Sequence, residues 1–147
     1  MPRTKDIDES AETAASPSTV YALLRDGSTW PAWSPIDSFE LAEPATDEPE
    51  GVGAVRHFRT GGVDSRDQIV ELLPDRRFSH TLVDGPPLND YRADIDITPL
   101  PGGCRIRWHA TYTAGRFGTG WFRHRRLRES IAASVRGLAA HAARVEH

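Results

Sequence analysis

The feature that most restricts this chain is a pair of alternating segments around the turn Leu100-Pro101-Gly102-Gly103. Tyr91, Ala93, Ile95 and Ile97 alternate with Arg92, Asp94, Asp96 and Thr98. Beyond the turn, Ile106, Trp108, Ala110 and Tyr112 alternate with Arg105, Arg107, His109 and Thr111. A period of two marks strands with one buried and one wet face. With Pro101 and Gly102 at the turn, Asp96 lies opposite Arg107 and Ile95 opposite Trp108, so acid meets base outside and apolar groups meet inside. Slipping the register by one residue would turn both apolar rows to water. The hairpin therefore demands a cover for its inner face.

Further extended segments precede it: "SFELAE" (38–43), "AVRHFRT" (54–60) closed by Gly61 and Gly62, "DSRDQIVELL" (64–73) and "RRFSHTLVD" (76–84). Short polar connections join them, which predicts an antiparallel meander. The cover comes from the C-terminal segment. After the loop "GRFGTG" (115–120), Leu127, Ile131, Ser134/Val135, Leu138 and Ala142 recur at spacings of three and four from Trp121 onward. About 22 helical residues would span roughly 33 Å, and a strand of nine or ten covers about 30 Å. One helix can thus lie along the whole sheet. Near the N-terminus, Ser16-Pro17 is a helix start, with Val20, Leu23 and Leu24 as its apolar stripe and Gly27 expected as a left-handed cap. Trp30 to Ser34 predicts one more helical turn before Pro35.

The remaining composition narrows the function. The chain of 147 residues suits a single domain, 1–147, with 1–5 and 143–147 expected to be flexible. No apolar run approaches the ~20 residues of a membrane span, and the acidic N-terminus lacks the apolar stretch of a signal peptide. Cys104 is the single cysteine, so the expected location is cytoplasmic and no internal disulfide is possible. No phosphate loop, dinucleotide glycine fingerprint or GxSxG elbow occurs. No histidine pair stands at ligand spacing on one face, so neither a metal site nor a cofactor is expected. Charge is uneven. Residues 1–50 hold eleven acids against Arg3, Lys5 and Arg25; residues 115–136 hold Arg116, Arg123, Arg125, Arg126, Arg128 and Arg136 against Glu129. That basic run is either a solvated helix face drawn to the acidic N-terminal half or a contact surface for a protein or an anionic membrane. Nucleic acid is not an expected partner, because the whole chain has a net charge of -3 and no groove-reading motif.

Three stretches together resemble the helix-grip superfamily that joins START domains and the birch-pollen allergen, also called SRPBCC, in its polyketide cyclase/dehydrase-like branch. They are "SPSTVYALLRDGSTWPAWSP", "ELLPDRRFSHTLVDGPPLNDYRADIDITPLPGGCRIRWHATYTA" and "GTGWFRHRRLRESIAASVRGLAAHA". The resemblance implies an α+β fold: a curved antiparallel sheet of about 6–7 strands around a long C-terminal helix, with two short helices after the first strand. It also implies that residues 5–13, "KDIDESAET", form that first strand, although their composition alone reads as disordered. The family pattern further implies an internal cavity, with the short second helix plugging one end. Trp30 and Trp33 then serve as stoppers, one ring on the core and one at the cavity, or both as core filling, a role that suits Trp30 more.

The inward faces name the candidate site: Trp33, Phe58, Phe78, His80, Tyr91, Trp108, Tyr112, Ile131 and Val135. This lining suits a hydrophobic or aromatic small molecule, lipid- or polyketide-like, bound by a monomer or a homodimer. His80 is the one candidate catalytic residue, as a proton carrier near neutral pH, or else a hydrogen-bonded core histidine. The enzymatic alternative is a polyketide aromatase/cyclase or dehydratase, with His80 and Tyr91 or Tyr112 moving protons on a bound poly-ketone. In the middle strand either Arg66 and Gln68 or Asp67 and Glu71 face inward, and the alternation fits both.

Overall fold

The computed structural model describes residues 4–113 and 120–146. Seven strands form one antiparallel sheet: β1 (Thr4–Thr13), β2 (Ser38–Glu43), β3 (Val55–Thr60), β4 (Val63–Leu73), β5 (Arg77–Asp84), β6 (Asn89–Leu100) and β7 (Gly103–Thr113). Their order is β1-β7-β6-β5-β4-β3-β2, a six-strand meander with β1 returning beside its last strand. Helices α1 (Pro17–Arg25) and α2 (Trp30–Trp33) follow β1, and α3 (Gly120–Glu146) closes the chain. This is the helix-grip arrangement. The loop expected at 115–120 lies, apart from Gly120, outside the described residues.

The β6–β7 hairpin has the register its alternation dictates, Ile95 opposite Trp108 and Asp96 opposite Arg107. The ion pairs nevertheless run to the other neighbours. Arg107 donates to Asp8 on β1 at 2.5 Å, and Asp96 accepts from Arg77 Nε on β5 at 2.7 Å. Arg105 meets Glu12 in the same way. The acids on the outer face of β1 are thus matched by β7; at the basic start of α3, Arg125 pairs with Glu129 one turn along. This explains how so polar a sequence holds an edge strand. Its outer acids are matched, while Ile7 is buried and Ala11 packs on the core.

At the other end of β1, Ser16 caps α1, its hydroxyl oxygen accepting from the Thr19 amide. Glu146 at the end of α3 accepts from the Ser16 amide and hydroxyl and from the Thr19 hydroxyl, tying the last turn of α3 to the first of α1. Gly27 does not end α1 in the left-handed conformation. Asp26 is the extended cap residue, and Gly27 begins a 3-10 turn where an added Cβ would overlap the Phe39 ring and Glu50. The glycine is there for close approach. Gly137 plays the same part on α3, facing the backbone carbonyl of Trp33, so α2 sits directly on the long helix.

The inner face of the sheet, α1, α2 and α3 enclose one core that includes Val20, Leu24, Trp30, Phe58, Ile95, Ile106 and Leu138. A register shift between Ile69 and Glu71 opposite His80 and Ser79 resets the alternation of β4. Asp67 and Ile69 face the core before the shift, and Leu72 rather than Leu73 packs on it after. On the exposed side, Trp121 and Phe122 in the first turn of α3 stand in solvent. No helix of the described residues is long and apolar enough to cross a membrane.

Candidate functional site

Between the sheet and α3 lies a partly open cavity of about 210 Å³. Its floor is Trp30, Phe58, His80, Tyr91 and Trp108; Leu127, Ser130, Ile131 and Ser134 of α3 form one wall; Leu82, Pro86 and Leu88 and the segment Pro35-Ile36 form the rim. The aromatic rings come together because β3, β5, β6 and β7 each supply an inward residue; His80 stands opposite Ala93, which pairs with Ala110, so that Tyr91 and Trp108, two residues to either side of that level, close over the small alanines. The His80 ring lies 6.1 Å from Tyr91, 6.2 Å from Trp108 and 6.1 Å from Trp30, centroid to centroid.

Five of the residues read from the sequence line this space: Phe58, His80, Tyr91, Trp108 and Ile131. The other four lie elsewhere. Phe78 and Val135 are packed core; Phe78 closes, with Arg56 and Ile69, a deeper gap that has no room for water. Tyr112 shares its hydroxyl with His124 Nδ1 at 2.8 Å, joining β7 to α3. The two tryptophans exchange the parts expected of them. Trp30 reaches the cavity, its indole N–H donating to Leu24 O at 3.1 Å, while the Trp33 ring packs behind it on Trp30 and Trp108, with its N–H on Thr29 Oγ1 and its backbone carbonyl against Gly137. Both are buried because a four-residue helix turns positions three apart to one side.

One charged residue, Arg56, escaped the sequence reading, and another, Asp67, was left between two alternatives. Arg56 is 1% exposed and donates to Leu24 O at 2.9 Å and Arg25 O at 2.6 Å, the free carbonyls at the end of α1. It also pairs with Glu50 at 2.9 Å and lies over the rings of Phe78 and Trp30 at 5.1 and 5.7 Å. Its phase with Ala54 and Phe58 in "AVRHF" was the available signal. Burial lowers its pKa to about 10, which leaves it charged. Asp67, opposite Arg56 in the ladder, supplies the carboxyl of the cavity. Of the two middle-strand assignments, Asp67 is inward and Arg66 exposed, but Glu71, expected on the same face as Asp67, lies beyond the register shift and pairs with Arg77 and Arg92.

Electrostatics separate the two titratable groups. Burial lifts Asp67 to about 7, against the pull of Arg56. Burial, then the Arg56 charge, lowers His80 to about 4, so its imidazole is neutral at pH 7. The group poised near neutrality is the aspartate, not the histidine. Burial likewise raises the Tyr91 hydroxyl well above its usual range. His80 Nε2 stands 3.9 Å from Asp67 Oδ2, beyond hydrogen-bond reach. Among the described residues, His80 Nδ1 and Trp108 Nε1 are buried with no hydrogen-bond partner of good geometry. The Trp108 N–H nevertheless lies near enough to the Tyr91 hydroxyl to favour its ionised form. The site offers apolar rings, one carboxyl and two unpaired ring nitrogens.

Residues 4–144 match the family described as polyketide cyclase/dehydrase and lipid transport. Among solved structures, the chain is similar to the protein XoxI from Bacillus cereus (21% identity, 97% of this chain and 98% of that one, TM-score 0.75). It is also similar to Ara h 8.0201 (17%, 95% and 98%, TM-score 0.76) and to a START superfamily protein from Mycobacterium smegmatis (15%, 95% and 98%, TM-score 0.78). At these identities the structures bear on the fold alone. No curated protein sequence matches the chain.

Proposed function

The chain belongs to the polyketide cyclase/dehydrase and lipid-transport family, and from that premise we propose that it binds a hydrophobic or aromatic small molecule in the cavity between its sheet and α3. The observation that carries the reading is the cavity itself: about 210 Å³ lined mostly by aromatic and aliphatic side chains, with few polar groups. A cavity of ~150 Å³ lined by apolar residues holds a single benzene ring, so this one suits one or two fused rings. It is smaller than the ~300–1,000 Å³ of sites for larger ligands.

Turnover of a bound poly-ketone is the second reading. The observation in its favour is Asp67, a carboxyl raised to about 7 inside the cavity, which meets the requirement for a general base at neutral pH. The original cast fits less well, since His80 is neutral above about 4 and Tyr112 is engaged by His124.

The binding reading is tested by filling the cavity. Naphthalene at saturation is expected to raise the melting temperature of the parent protein. In Ile131→Trp, the indole occupies the space and that rise falls to a small fraction. Equal stabilisation of both proteins would place the binding elsewhere and defeat the reading.

A further inference from the structure

The polar groups of the cavity restrict which aromatic it takes. Asp67 is a hydrogen-bond acceptor with no hydrogen-bonding protein partner among the described residues, and His80 stands 3.9 Å from it. His80 and Trp108 both line the same space and are each 4% exposed, and His80 Nδ1 and Trp108 Nε1 lack a hydrogen bond of good geometry. Leaving buried polar groups unpaired costs their desolvation with nothing in return, so a ligand that pairs them is preferred over one that does not. Resting on the binding reading above, we infer that the ligand is a one- or two-ring hydroxyaromatic whose O–H donates to Asp67 and whose oxygen accepts an N–H from His80 or Trp108.

Other head groups fail on charge or on valence. Above pH 8, where Asp67 is ionised and where the titrations below are run, a carboxylate would meet a second carboxylate in a confined apolar space, a repulsion that water cannot screen. Arg56 does not rescue it, because it does not line this cavity and its two terminal nitrogens are engaged by the Leu24 and Arg25 carbonyls and by Glu50. An ammonium offers nothing for an indole N–H to donate to, and it enters the field of Arg56, which faces Asp67 across the ladder. An ether accepts but cannot donate. A hydroxyl does both. The Ser134 hydroxyl does not supply the missing partner, since it donates to the Ser130 backbone carbonyl at 2.8 Å within its own helix.

Calorimetric or NMR titration with five probes of one size tests the inference: naphthalene, 2-methoxynaphthalene, 2-naphthol, 2-naphthoate and 2-naphthylmethylammonium. The expected result is 2-naphthol binding at least tenfold tighter than naphthalene and 2-methoxynaphthalene, with 2-naphthoate weakest. In Asp67→Leu the advantage of 2-naphthol over 2-methoxynaphthalene should vanish while naphthalene still binds. Equal affinity for 2-naphthol and 2-methoxynaphthalene in the parent protein, or tightest binding of either charged probe, overturns the inference, and neither depends on a variant folding. If naphthalene binds without a hydroxyl preference, only this inference falls; if no probe binds, the cavity reading falls with it.

Discussion

Arg56→Ala is expected to lower the unfolding free energy by about 3–5 kcal/mol, the loss typical of removing one member of a buried, hydrogen-bonded charge pair. The substitution strips Arg25 O of its side-chain donor, leaves Leu24 O with the Trp30 indole alone and Glu50 without its 2.9 Å partner, and opens a hole beneath Phe78 and Trp30. For a domain of 147 residues this corresponds to a fall in melting temperature of about 10–15 °C. Arg56→Met separates the contributions, because it keeps the apolar stem over the rings and loses the charge; it should fall between the parent and alanine. Thermal or urea unfolding followed by circular dichroism reads both. A loss below 1 kcal/mol for alanine would show that water serves the end of α1 as well as the guanidinium does.

Asp67→Asn and His80→Gln are expected to change the pH dependence of stability in opposite directions. The folded aspartate titrates at about 7 against 3.8 for the unfolded chain, so its ionisation weighs against folding, beginning above pH 4 and fully above pH 7. The folded histidine titrates at about 4 against 6.5. It therefore favours folding above pH 6.5, and that contribution is lost as pH falls toward 4. Across pH 4 to 6.5 the two contributions oppose each other in the parent protein. Each is worth on the order of 2–3 kcal/mol, the aspartate's reduced because 17% of its side chain stays accessible. Measured as a difference from the parent, Asp67→Asn should gain relative stability as pH rises from 4 to 8. His80→Gln should gain it as pH falls from 7 to 4. Denaturant titrations at each pH read both slopes, and slopes of the same sign would refute the assignment of the two groups to one cavity.

The parts of the fold that were legible share a cause: both faces of an element carried a pattern. The β6–β7 hairpin could be registered from sequence because a slip would have harmed its inner and outer rows together. The long helix was legible from the spacing of Leu127, Ile131, Val135 and Leu138. β1 was legible only through its family order, since the acids that make it look disordered are matched by Arg105, Arg107 and His109 on a strand about a hundred positions away. The site was half legible for a different reason. Alternation predicts which way a side chain points, not what it meets, and Arg56 meets carbonyls from another element. Trp30 and Trp33 share one side of a single turn, so only the seat of α2 on Gly137 decides which ring faces the cavity. The β4 shift at Ile69 lies in a run where apolar and charged residues fit either phase. Asp67 remained one of two alternatives for that reason.

The central claim is that the space under α3 holds the ligand, and intermolecular nuclear Overhauser effects measure it most directly. With 2-naphthol bound, ring protons should show contacts to the methyl groups of Leu82, Leu127 and Ile131, which line that space. Contacts confined to the exterior cleft between Pro17, Pro74 and Pro99, with the Ile131 methyls silent at saturation, would contradict it.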